Sequence, residues 1–157
     1  MNVSKFKGRP IGCGGFINIT TASKKVVYCG TFTTGSLKVT AEDGKVKILQ
    51  EGNQLKFIDR VEQITFSGKY AAKSNKPILY VTERAVFKLI DGELTLIEIA
   101  PGIDLEKDIL AHMEFKPRIA ADLKLMPQEI FYPEWGKLKQ HIEAKRQKPA
   151  EQPAAGR

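Results

Sequence analysis

Four glycines fall within eight residues of this sequence, at Gly8, Gly12, Gly14 and Gly15, and they are densest in Gly12-Cys13-Gly14-Gly15. Glycine loses more backbone entropy on folding than any other residue. Such density therefore points to positive φ values or to a main chain that another group approaches closely. If Gly14-Gly15 opens a helix at Phe16, the unsatisfied N–H groups there face an anion, or an oxygen gaining negative charge. A tight turn packed against a strand accounts for the same glycines, and spacing does not choose between the two. GxGG is a weak motif, and no clear strand precedes it as in a dinucleotide fingerprint.

The other reactive side chains are sparse. His112 falls in an expected helix and His141 in a basic tail; neither has a partner motif for a nucleophilic triad, so both read as surface histidines. Cys13 and Cys29 lack a CxxC partner, and HExxH and EF-hand patterns are absent from the sequence, so no metal site is expected and both cysteines read as reduced structural thiols. Glu83 and Glu98 lie in or beside apolar strands, where a carboxylate with a raised pKa can serve as acid or base. The plainer reading of each is an ion pair, with Arg84 or Lys88 as partner.

The elements that must hold these groups follow from hydrophobic spacing. Val26-Val27-Tyr28-Cys29-Gly30-Thr31-Phe32 is nearly continuous in apolar or β-branched residues, which predicts a strand buried on both faces, as in an α/β sheet. Leu37-Lys38-Val39-Thr40 and Lys45-Val46-Lys47-Ile48 alternate around Asp43-Gly44 and predict a hairpin with one wet face; residues 85–90 and 94–99 predict another across Asp91-Gly92. Residues 55–58, 61–66 and 78–82 are further strand expectations, the last two divided by a polar loop. After Pro101-Gly102 the period becomes helical. Asp104 is a cap, and Leu105, Ile109 and Met113 recur every four residues, so a helix to about Phe115 is expected. A short helix is also expected within residues 135–147, and residues 148–157 read as disordered.

A chain of 157 residues holds one ordinary domain and excludes a large two-domain enzyme. No apolar run approaches the roughly 18 residues of a membrane helix. The first thirty residues show no secretory pattern, so the cytoplasm is the expected location. The formal charge of +7 invites a nucleic-acid reading. From Gly136 onward, however, six basic residues face two acidic ones, so most of the excess belongs to the tail. The body mixes both signs without the clustered cations that a phosphate backbone requires, and nucleic acid is not an expected partner.

Five segments taken together carry a resemblance: Gly12-Cys13-Gly14-Gly15-Phe16-Ile17-Asn18-Ile19, Lys25-Val26-Val27-Tyr28-Cys29-Gly30-Thr31-Phe32, Gln63-Ile64-Thr65-Phe66-Ser67-Gly68, Tyr80-Val81-Thr82-Glu83-Arg84-Ala85-Val86-Phe87, and Leu96-Ile97-Glu98-Ile99-Ala100-Pro101-Gly102-Ile103-Asp104. In order and without large gaps, they resemble the family I CoA-transferases, of the acetate or propionate and acyl-CoA:3-ketoacid types. The likeness is to the C-terminal part of the second, β-subunit-like half.

The resemblance implies an α/β fold with a central, largely parallel sheet, β-hairpins and a C-terminal helix. Residues 1–127 form the family domain and 128–157 a basic, partly disordered tail. It also implies transfer of CoA between a short-chain acyl-CoA and a carboxylic acid such as acetate, through a glutamate that attacks the thioester and becomes a glutamyl-CoA thioester. The family's glutamate sits in a Glu-x-Gly loop that no residue here matches. The resemblance assigns Gly12, Gly14, Gly15 and Asn18 to CoA, with the Gly14 and Gly15 amides as oxyanion donors; Asn18 stands where several relatives have aspartate. CoA is expected as substrate, with no tightly bound cofactor. The expected partners are an upstream CoA-transferase segment and further copies of the chain. A catalytically inactive domain with weak CoA affinity or an association role is the alternative.

Overall fold

The computed structural model of the chain describes residues 1–135 and 138–147. In chain order its regular elements are β1 (Lys5–Phe6), β2 (Arg9–Pro10), α1 (Phe16–Ala22), β3 (Val26–Cys29), β4 (Thr33–Thr34), β5 (Lys38–Glu42), β6 (Lys45–Gln50), β7 (Gln54–Leu55), α2 (Gly68–Lys73), β8 (Ile78–Val81), β9 (Ala85–Ile90), β10 (Glu93–Ile99), β11 (Arg118–Leu125) and α3 (Leu138–Gln147). A five-stranded sheet in the order β11-β10-β9-β8-β3 organises the fold. The α/β class stands, and the sheet is mixed. The outer pairs β3–β8 and β10–β11 are parallel, as expected of a largely parallel sheet, while β8–β9 and β9–β10 are antiparallel. The inner pairs are antiparallel because short turns join them. Asp91 and Gly92 both adopt positive φ, of 53° and 82°, which suits a tight β9–β10 hairpin. Asp43 and Gly44, at 51° and 71°, do the same between β5 and β6.

Two clusters form the core. The larger gathers Phe32, Phe87, Leu96, Ile109 and Met126 with Val46 of the β5–β6 hairpin. Phe57 bridges Phe32 and Phe87, its ring centroid 4.8 Å from one and 4.9 Å from the other. The smaller cluster packs Phe66, Ala71 of α2 and Ile78, flanked by Phe16, Val26 and Tyr28. Burying each large side chain of this kind stabilises the fold by about 1.5–3 kcal/mol.

Several expectations are corrected. Strand β3 is an edge strand rather than one buried on both faces: Val27 is 47% exposed and Cys29 is exposed, because among the described residues no further strand pairs beyond it. Residues 61–66 form bends rather than a strand, and the loop that follows holds α2, capped by the Ser67 hydroxyl accepting from the Tyr70 amide at 3.3 Å. The helix expected from Asp104 to Phe115 is a π-turn, Leu105–Ile109, continued as a 3-10 turn, Leu110–His112. Asp104 caps it as expected, accepting from the Lys107 amide at 2.8 Å. The Asp108 carbonyl, however, accepts from Arg84 Nη1 at 2.9 Å and is drawn away from an α-helical ladder. Strand β11 was not anticipated. The short helix expected near the end of the chain is present as α3. The disorder expected of residues 148–157 lies outside the described residues.

Candidate functional site

The glycine loop is held at its two ends and open between them. On one side, the amides of Ile11 and Gly12 both donate to the Ser4 carbonyl, at 2.8 and 3.3 Å. On the other, the Phe16 amide donates to the Cys13 carbonyl at 2.9 Å, and α1 begins there. Gly12 and Gly14 take φ of 82° and 49°, and a Cβ at either would meet nothing within 4 Å. Conformation rather than crowding therefore requires glycine at these two positions. Gly14 and Gly15 are exposed, and no acceptor among the described residues meets their amides.

Packing places this loop at the carboxyl end of the parallel strands. Phe16, the first residue of α1, stacks on Tyr28 of β3 with centroids 5.9 Å apart. In register, Cys29 lies beside Val81, so β3 and β8 end together, and the Gly30 amide continues the pairing to the Val81 carbonyl at 3.1 Å. Outside the carboxyl ends of parallel strands is where open α/β sheets bind ligands. A cleft of about 390 Å³ runs from these strand ends across the sheet face toward the β9–β10 turn, lined by Tyr28, Thr31, Lys56, Tyr80, Leu89 and Gly92 among others and by none of the glycine-loop residues. Burial pushes the Tyr80 phenol up to about 12. Burial first, then the neighbouring Tyr80, also raises the Tyr28 phenol against an opposing pull from the Thr20 hydroxyl; its oxygen is sealed from solvent and makes no hydrogen bond of good geometry among the described residues. An unpaired buried hydroxyl costs about 1–3 kcal/mol. Tyr28→Phe is accordingly expected to raise stability in urea unfolding by about 1 kcal/mol; destabilisation would mean that the hydroxyl has a partner.

A buried ionic cluster holds Phe32 and Glu83, the chain neighbours of the cleft-lining Thr31 and Thr82. Arg84 is fully buried, and its guanidinium grips Glu51 through two bonds, Nη1 to Oε2 at 2.7 Å and Nη2 to Oε1 at 3.1 Å. Its Nε donates to Glu83 Oε1 at 2.7 Å, and it lies 5.0 Å from the Phe32 ring centroid. Glu51 also accepts from the Thr33 hydroxyl and from the Gly52 amide at 2.9 Å. Burial opposes the charge on Glu51. The bonds from Arg84, Thr33 and Gly52 outweigh that cost and hold its carboxyl at about 2. The other oxygen of Glu83 accepts from the Phe32 amide at 2.8 Å, tying the cluster to the chain that leaves β3.

No family model matches the sequence. Individual relatives do. The chain is 54% identical over 140 residues to the caffeate CoA-transferase of Acetobacterium woodii, covering 86% of this chain and 26% of that protein. It is 53% identical over 131 residues to the Escherichia coli acetate CoA-transferase YdiF, covering 83% and 25%. The crystal structure of YdiF from E. coli O157:H7 as a thioester complex with CoA superposes with a TM-score of 0.82 at 52% identity, over 85% of this chain and 26% of that one. The chain belongs to the CoA-transferase family. It spans about a quarter of the length of these relatives, and it also matches the β subunit of an E. coli acetate CoA-transferase at 32% identity, over 41% of that subunit.

Within this CoA-transferase-family chain the expected site residues separate into groups. Gly12, Gly14 and Gly15 share the open loop, and Asn18 is exposed one turn into α1. Glu83 is paired with Arg84, as its plainer reading had it. Glu98 is half-buried and makes no ion pair among the described residues. His112 approaches Glu51 at 3.5 Å, so it belongs to the ionic cluster, whereas His141 is exposed on α3. Cys13 and Cys29 are free, and no group of three potential metal ligands occurs among the described residues. No helix of the described residues is long and apolar enough to cross a membrane. Sequence reasoning missed Glu51 and Lys56. Glu51 stands beside the Gly52-Asn53 turn and Lys56 between the apolar Leu55 and Phe57, and only the fold sets one against Arg84 and the other at the cleft.

Proposed function

We propose that this chain contributes the CoA-holding loop of a CoA-transferase, which moves CoA between a short-chain acyl-CoA and a carboxylic acid such as acetate. The observation that carries this reading is the pair of exposed, unpartnered amides at Gly14 and Gly15 beside the carboxyl ends of β3 and β8. The nucleophilic glutamate comes from CoA-transferase polypeptide outside these 157 residues. Its carboxylate oxygen attacks the thioester carbonyl carbon, whose oxygen becomes an oxyanion and is met by the two amides. The C–S bond breaks, leaving CoA thiolate and an acyl-glutamyl anhydride. Thiolate then attacks the glutamyl carbonyl, expels the acyl group as carboxylate and forms the glutamyl-CoA thioester; an acceptor carboxylate reverses these steps. Gly12 shapes the loop and Asn18 contacts CoA. Residues 1–127 are the family domain and residues 128–157 an appendage.

Exposed apolar surface supports work in a larger assembly. Ile19 of α1 is 66% exposed, Ile17 beside it 45%, and the open edge of β3 carries Val27. Apolar surface of this kind, next to an unpaired strand edge, is an association site in a folded protein. The test is exchange of CoA between acetyl-CoA and propionate. The chain alone is expected to show none, and the chain combined with a CoA-transferase segment carrying the glutamate is expected to turn over and to trap a glutamyl-CoA adduct visible by mass spectrometry. Turnover by the chain alone would overturn the assignment of the nucleophile. A stable, monodisperse assembly that turns nothing over would favour the inactive alternative.

A further inference from the structure

Of the segments that carry the family likeness, Gln63-Ile64-Thr65-Phe66-Ser67-Gly68 has no part in the reaction proposed above. Residues 63–66 are bends rather than a strand, so sheet pairing does not account for them. What they do make is a set of bonds to the chain that leads into the glycine loop. The Thr65 hydroxyl accepts from the Val3 amide at 3.3 Å and lies 2.8 Å from the Ser4 hydroxyl. Ser4 gives its own hydrogen to Asn2 Oδ1 at 3.3 Å, which leaves Thr65 as the donor between the two hydroxyls. Ser4 is also the residue whose carbonyl receives the Ile11 and Gly12 amides, at 2.8 and 3.3 Å. Thr65 therefore holds the residue that holds the loop. Glu62, just ahead of the motif, adds a second tie by accepting from the Gly8 amide at 2.9 Å.

Thr65 can serve as a fixed point because its neighbour is anchored. Phe66 is buried in the smaller core cluster and meets the Tyr28 ring edge-on, with centroids 5.4 Å apart. Phe16, at the other end of the glycine loop, stacks on the same ring at 5.9 Å. Both flanks of the loop are thus referred to one side chain of the central sheet, one directly and the other through Phe66, Thr65 and Ser4. Between them the space beside Gly12 and Gly14 is empty, so packing within the loop does not set where its amides stand. We propose that Thr65 is a positioning residue for the glycine loop, its hydroxyl fixing through Ser4 the place of the Gly14 and Gly15 amides. Displacement of such donors by about 1 Å costs on the order of 10²-fold in rate. The catalytic part of this role rests on the function proposed above, whereas the hold on the loop does not.

Hydrogen exchange and kinetics test the two parts. Thr65→Val keeps the shape of the side chain and removes the hydroxyl, and it leaves in place the Thr65 and Phe66 amides' bonds to the Met1 carbonyl, at 2.9 and 3.0 Å. In the purified chain, exchange of the Ile11 and Gly12 amides is expected to speed up about fivefold in this variant, the size of one hydrogen bond, and Thr65→Ser is expected to restore it. Unchanged exchange at both amides would overturn the proposal. In the enzyme completed with the glutamate-bearing segment, Thr65→Val is expected to lower kcat about tenfold and Thr65→Ser to recover most of that loss. A general loss of stability would act equally in any background, so the deciding measurement combines Thr65→Val with Gly15→Pro, which removes one of the amides. There Thr65→Val is expected to cost at most about threefold more, because a donor it positions is already gone. A further loss as large as in the unaltered loop would overturn the role. Ser4→Ala deletes the hydroxyl–hydroxyl bond from the other side and is read in the same way should Thr65→Val fail to fold. Equal kcat in Gly15→Pro and Gly15→Ala would bring down the oxyanion reading and Thr65's part in catalysis with it, while faster exchange would still support the hold on the loop.

Discussion

Gly15→Pro is expected to lower kcat of the assembled enzyme by about 10²–10³ while leaving the fold nearly intact, because removal of one oxyanion donor costs on that order. Proline deletes the N–H, and its ring also restricts Gly14, whose φ is 49°, so the unfolding measurement accompanies the kinetics. The Gly15 amide has no acceptor among the described residues, so no internal hydrogen bond is lost. Its φ of −80° lies within proline's range, and an added Cβ makes only ordinary contact with the Ile19 side chain at 3.5 Å. The carbonyl of Gly15, which accepts from the Ile19 amide at 2.9 Å, is retained. Gly15→Ala is the control: it keeps the donor, so kcat is expected to fall far less, with the same contact to Ile19. The comparison is made by steady-state kinetics on the enzyme completed with the glutamate-bearing segment, with urea unfolding of both variants. Equal kcat in the proline and alanine variants would mean that this amide does not meet the developing oxyanion.

How much of this was legible before folding depends on the range of the forces involved. The Asp43-Gly44 and Asp91-Gly92 hairpins are local, since two residues at positive φ reverse the chain whatever surrounds them. The Asp104 cap is local too, and it was read correctly. What it opens was not, because the expected helix is reshaped by Arg84, twenty-four residues distant, binding the Asp108 carbonyl. Strand β11 escaped notice because Ile119 and Leu123 stand among Arg118, Asp122 and Lys124; it is held by parallel pairing to β10, which leaves no local signature. Continuous apolar character in β3 suggested burial on both faces, yet Val27 faces outward at an unpaired edge. That mismatch between sequence and surroundings is itself informative, for it marks where further polypeptide is expected to pack. The family motifs located the glycine loop, but the cleft on the sheet face draws Tyr28, Lys56 and Tyr80 from three separate segments and exists only once the sheet is formed.

Arg84→Met is expected to destabilise the chain by about 3–5 kcal/mol, the loss typical when one member of a buried ion pair is removed. Methionine fills much of the same space beside Phe32, so the loss is chiefly electrostatic. Glu51 and Glu83 would retain their charges near the core without a cation, and the Asp108 carbonyl would lose its donor. Arg84→Lys is expected to recover only part of the loss, because an ammonium cannot reproduce the two-pronged grip on Glu51. The pH dependence separates this account from a simple packing defect. The folded-state carboxyl of Glu51 sits near 2, below the ordinary glutamate value of about 4.3. Its contribution is therefore fully present above that ordinary value and is lost as pH falls from there toward 2. In wild type, urea unfolding is expected to show stability declining across that interval. In Arg84→Met the Glu51 carboxyl rises toward its unfolded value, so this acid decline flattens. A parallel decline in both proteins would mean that the guanidinium does not hold Glu51 ionised. A flattened decline would mean that the guanidinium holds Glu51 ionised, and with it the bonds that Glu51 accepts from the Thr33 hydroxyl and the Gly52 amide.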